Sequence, residues 1–115
     1  MITSYQIVTG TDKPVNGAVD KTIIAAPGSA KKLYLLKAHI TVTVAATGGG
    51  GEVALEDGVG GSRFFEADAD AIGHFTIDFG EDGFPLTSNT LLNATVDGAA
   101  TNQASARVSA LAKIV

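Results

Sequence analysis

The sequence predicts an all-β fold, an antiparallel β-sandwich that is jelly-roll-like with about eight strands, and three observations lead there. Apolar and polar residues alternate with period two in several separate segments, the pattern of a strand with one face buried. Turn signals rich in Gly, Asp, Asn and Pro divide those segments at the spacing of a sandwich or barrel. No long amphipathic helical pattern competes. The most helix-like piece, Glu66 to Ile72, alternates acid with alanine and runs straight into Gly73, so it reads as a loop or ragged strand.

Ser4 to Thr9 and Ala18 to Ala26 read as the first strands, with Gly10 to Gly17 as a turn-rich connection. Met1 to Gly17 is open to two readings. It is either an ordinary first strand with its turn, or an extended N-terminal arm that adds to a partner's sheet and buries Ile7 and the ring of Tyr5 there. Pro27-Gly28-Ser29 then breaks the chain, and Leu33 to Val44 follows as the clearest strand. Ala38, Ile40, Val42 and Val44 face one way in it, and Lys37, His39, Thr41 and Thr43 the other. Its first part, Leu33 to Leu36, is apolar on both sides. That predicts burial on both faces or a bulge where the facing switches.

Thr47-Gly48-Gly49-Gly50-Gly51 is too permissive for regular structure and reads as a mobile hairpin loop. Glu52 to Glu56, with Val53 and Leu55 inward, ends at the Asp57-Gly58 turn. Arg63 to Ala67 and His74 to Phe79 are the next strands, the second with Phe75, Ile77 and Phe79 on one face. Gly80 to Leu86 reads as a turn with an apolar anchor, and Leu91 to Val96 and Gln103 to Ile114 finish the chain. In the last strand Ala104, Ala106, Val108, Ala110, Ala112 and Ile114 share a face of very little bulk. A neighbouring sheet or a second subunit must approach it closely, so Ala106 and Ala110 join Tyr5 and Ile7 as candidate partner-binding residues.

The 115 residues form one domain, 1–115, large enough for a single core. Hydrophobic residues make up 45% and charged ones 17%, a balance that excludes a disordered tail. A net charge of -4, with only Lys31 and Lys32 adjacent among the basic residues, argues against nucleic acid, whose binding is driven by Lys and Arg displacing counterions. The chain has no cysteine, so no disulfide or thiolate metal site. No apolar run reaches a membrane span, and the start lacks the basic and apolar stretches of a signal peptide, so a soluble product made in the cytoplasm is expected. Asn93-Ala94-Thr95 matches a glycosylation acceptor but falls inside an expected strand.

Chemistry is thinly supplied. Glu66, Asp68 and Asp70 put carboxylates along one side of an extended segment and offer hard oxygen ligands to calcium, yet they lack the glycine and distal glutamate of an EF-hand loop, and acidic rows ordinarily face water. His39 and His74 are the two histidines, both on polar parity, and no His-x-His pairing of the cupin kind occurs, so polar contacts are preferred for them over metal or general-base roles. Ser62 sits in no nucleophile elbow, and the Gly48 to Gly51 run lacks the Lys and Ser/Thr of a phosphate loop. No catalytic residue, cofactor or metal is expected. The absence of tryptophan, with two tyrosines, leaves little for stacking platforms.

The order of elements carries a resemblance. The central Lys32-Leu33-Tyr34-Leu35-Leu36-Lys37-Ala38-His39-Ile40-Thr41-Val42 strand, the Gly-rich tip, the Glu56-Asp57-Gly58 turn, the run Phe79-Gly80-Glu81-Asp82-Gly83-Phe84-Pro85-Leu86 continuing to Ala99, and the Ala-rich last strand resemble the β-sandwich capsid decoration, or cement, proteins of tailed bacteriophages. The resemblance implies a virion protein on the outer surface of the expanded head, commonly a homotrimer, whose partner is the major capsid protein and which clamps neighbouring capsid subunits. It also implies that a terminal arm shares in attachment. The competing expectation is a tail-fibre, receptor-binding or carbohydrate-binding module, with a cupin-type enzyme third.

Overall fold

Alternation decides which segments become strands, and pairing decides where they lie, in the computed structural model, which describes residues 6–16, 21–45, 51–97 and 104–115. Nine strands occur among them: β1 (Gln6–Asn16), β2 (Lys21–Ile24), β3 (Leu33–Val44), β4 (Glu52–Asp57), β5 (Ser62–Asp68), β6 (Gly73–Asp78), β7 (Phe84–Pro85), β8 (Leu92–Asp97) and β9 (Ser105–Ile114). No helix of the described residues is long and apolar enough to cross a membrane. Eight strands build two antiparallel sheets, ordered β1-β9-β3-β6 and β2-β8-β4-β5, and the short β7 pairs with β3. The chain changes sheet between β1 and β2, β2 and β3, β3 and β4, β5 and β6, and at both ends of β8. That winding is a jelly roll.

Three connections depart from the expectation. The supposed turn from Gly10 belongs to β1, which pairs with β9 from Gln6↔Ile114 to Asn16↔Ser105 and absorbs the irregularity as a register shift between Gly10 and Lys13. Turn-forming residues inside a ladder mark a bulge as readily as an end. β3 and β4 lie in different sheets, so their connection is a crossover and not a hairpin, and residues 46–50 of it lie outside the described residues. The strand beyond the expected eight is β7, the apolar anchor itself, held by Tyr34↔Pro85 and Leu35↔Phe84.

The inner face of β3 shows how the core is filled. Leu33 and Leu35 are buried, then Ala38, Ile40 and Val42, so the inward parity changes once. The change coincides with a register shift against β9 between Leu35 and Lys37, a bulge that turns a doubly apolar run into one inward row. A second shift between Val42 and Val44 takes Val44 out of that row, contrary to its expected inward facing, and leaves it 51% exposed. Ala104, just before β9, and Ala106, Val108, Ala110 and Ala112 on it are all buried in the same core as Val53, Leu55, Leu92, Ala94 and Val96 of the facing sheet. The small residues let that sheet come close, and its branched side chains supply the volume.

Backbone approach is tightest at two glycines. A Cβ on Gly10 would fall on Cγ2 of Ile23 and 2.6 Å from its carbonyl oxygen, so β1 and β2 close one side of the sandwich. A Cβ on Gly61 would fall on the carbonyl oxygen of Asp57 in the β4–β5 turn, where the Gly61 N–H donates to the Gly58 carbonyl at 3.0 Å. Gly61→Ala is therefore expected to cost about 1–3 kcal/mol by forcing that turn apart. Gly73→Ala, which meets open space, is the control and should leave the thermal midpoint nearly unchanged.

Candidate assembly surfaces

Among the described residues, the side of the sandwich opposite β1 and β2 is open. β5 and β6 are edge strands of different sheets, and the chain joins them at one end through residues 69–72. Their inward residues, Phe65 and Ala67 on β5 and Phe75 and Ile77 on β6, pack against the core but are only half-buried, whereas Leu35, Ile40, Val53 and Leu55 on the central strands are fully covered. At the joined end Ile72 is 73% exposed. At the other end Phe64, Phe79 and Phe84 meet: Phe64 stacks on Phe84 with centroids 4.6 Å apart, and Phe79 lies edge-on to Phe64 at 6.1 Å. Phe84 is carried there by β7 and stays partly exposed. The result is an apolar seam bordered by two strand edges that no described strand covers, which is how a sheet invites another chain.

The outer face of the β1-β9-β3-β6 sheet is polar with a few apolar residues. Ile7, 53% exposed, lines an open groove of about 600 Å³ with Leu36, Lys37, Asp78, Leu111 and Lys113. Lys113 donates from Nζ to the Glu81 carbonyl at 3.2 Å and lies 5.8 Å from the centre of the Tyr34 ring. Tyr5, expected to act with Ile7, lies outside the described residues. Farther along this face His39 and His74 come together across β3 and β6 with ring centroids 5.5 Å apart, and His39 Nδ1 is 2.9 Å from Thr76 Oγ1. The other two candidate partner residues are elsewhere. Ala106 and Ala110 are 1% and 7% exposed in the core, so the close approach their size permits is to the facing sheet and not to a second subunit.

On the outer face of the other sheet Arg63 is the hub. Its Nη1 reaches Glu52 at 3.1 Å and Glu66 at 4.0 Å, and its Nε donates to Glu56 at 3.3 Å. Glu56 is buried and also accepts the Nδ2 amide of Asn93 at 2.8 Å. Asn93, the residue of the glycosylation-like triplet, is thus enclosed in β8. The acidic row does not converge on a point. Glu66 turns to Arg63, Asp68 stands opposite Glu52, and Asp70 accepts the Gly51 N–H at 2.9 Å. Among the described residues no three His, Asp or Glu side chains gather as a metal centre.

The seam and the histidine pair were not visible in the sequence, because both depend on which strands end up at a sheet edge or side by side. The nearest sequence signal was the set of phenylalanines on β5, β6 and β7.

No family model matches the chain, and no curated protein matches its sequence. Its fold is similar to that of a chain in the acidic stable capsid of Helicobacter pylori bacteriophage KHP30, at 16% identity and a TM-score of 0.50, over 97% of both chains. A chain of the Bacillus endospore appendages, which form disulfide-linked pili, is similar at 15% identity and a TM-score of 0.49, over 95% of this chain and 88% of that one. A chain of the cyanophage Pam1 capsid asymmetric unit follows at 14% identity and 0.47, over 95% and 84%. The structural neighbours thus include chains of phage capsids, and the likeness is one of fold, an all-β jelly-roll sandwich.

Proposed function

We propose that this chain is a virion structural protein that binds the outside of a phage capsid as a homotrimer and holds neighbouring capsid subunits together. The observation that carries the reading is the β5/β6 seam. Half-buried aromatic and aliphatic residues beside unpaired backbone edges gain most when another protein covers them, since apolar area leaves water and free N–H and C=O groups find partners. Many such modest contacts, repeated over a trimer that spans several capsid subunits, add through effective concentration. The fold likeness over nearly the whole of an equally long chain in a phage capsid supports the same reading. The exposed Ile7 beside its groove, near the start of β1, is a second contact.

Co-sedimentation with undecorated heads tests this. The unchanged chain is expected to travel with the heads, and Phe84→Ser and Ile72→Ser, at opposite ends of the seam, to lose most of that binding while keeping their circular dichroism. Retained binding in the double variant would remove the seam from the interface, and a chain that never travels with heads would overturn the role. Sedimentation of the free protein tests trimerisation separately.

A further inference from the structure

We propose that His39 and His74 form a two-ligand site for a divalent first-row transition-metal ion on the outer face of the β1-β9-β3-β6 sheet. Both histidines are exposed, and they stand on neighbouring strands two rungs apart on the same face, since His39 pairs with Thr76, Ile40 with Phe75 and Thr41 with His74. Metal–nitrogen bonds of about 2.0–2.1 Å at a near-tetrahedral angle put two bound imidazole centroids about 5 Å apart. The observed separation is 5.5 Å with the planes 36° apart, close to the spacing that two imidazoles sharing one ion require.

Nδ1 of His39 is engaged with Thr76 Oγ1, which leaves Nε2 as the nitrogen that can meet an ion. In the tautomer whose Nδ1–H donates to that hydroxyl, the lone pair is on Nε2 and the same contact holds the ring in place from the second shell. The surrounding side chains on this face are the hydroxyls of Thr41, Thr76 and Ser109, with Arg107 beside Thr41 on β9 and the Lys37 and Asp78 pair two rungs beyond His39 and Thr76. Imidazole nitrogen suits zinc, nickel and copper better than calcium or magnesium. Water completes the coordination, because two side chains alone leave positions open. The site is independent of the capsid-binding role and lies on a different surface from the β5/β6 seam.

Calorimetric titration of the purified chain with Zn²⁺ tests it. One ion per chain is expected, with affinity reduced about tenfold or more in either His39→Gln or His74→Gln. Asp68→Asn, on the other sheet, should leave the affinity unchanged. Substoichiometric Cu²⁺ added to the unmodified chain should broaden the imidazole proton signals of both histidines together, a readout that needs no variant. Absence of saturable uptake, uptake that survives both histidine changes, or uptake lost only with Asp68 would each overturn the site.

Discussion

Leu35→Ala is expected to be among the most damaging single changes in this chain, removing about 2–5 kcal/mol of stability. Leu35 is fully buried and stands where β3 carries strands on both sides, Ala112 of β9 and Phe84 of β7. It also immediately precedes the bulge that resets the inward parity of β3. Little can slide in to fill the space, because the neighbours on β9 are alanines whose side chains are too short to reach it. A lowered urea midpoint at unchanged slope is the expected result. A loss below about 1 kcal/mol would mean that the sheets collapse onto the site, which the close packing of this core argues against.

Ala106→Leu is expected to fail in the opposite sense, by excess volume. Ala106 is opposite Val42 on β3 and Val15 on β1, in the middle of its sheet, and is 1% exposed. Overpacking there should cost about 1–3 kcal/mol, with the facing sheet pushed outward. Because the residue is covered within one chain, the loss should be the same at every protein concentration. A residue at a subunit interface would instead show a concentration-dependent loss, since assembly adds to stability by mass action. Denaturation at two widely separated concentrations decides between them.

These two residues also mark what a sequence can and cannot convey. Period-two alternation located nearly every strand, and the doubly apolar start of β3 signalled its bulge, because side-chain facing is a local property. The meaning of the alanine row was half legible: its low bulk showed that something comes close, but its covering by the facing sheet depends on pairings between residues distant in the chain. Gly10 to Asn16 misled for a related reason, since the residues that end a strand also bend one that continues. Phe84 looked like an anchor and is one, yet its place at the rim of an open seam is set by β7 pairing with β3. His39 and His74, 35 positions apart by subtraction of their numbers, became neighbours only through the β3–β6 register.

The pairing of Gln6 with Ile114 has a mechanical consequence. The start of β1 and the end of β9 occupy one rung at the same pole, where Val115 and Lys32 exchange backbone hydrogen bonds of 2.9 and 3.0 Å. A pull applied between those two ends loads the β1–β9 ladder one rung at a time and peels it like a zip. A pull along the strands from opposite poles loads all the rungs together and meets far greater resistance. Tension across the start of β1 and the end of β9 would thus act in the weakest direction of the ladder, while tension entering through β5 and β6 would be borne by the opposite flank, leaving the zip closed.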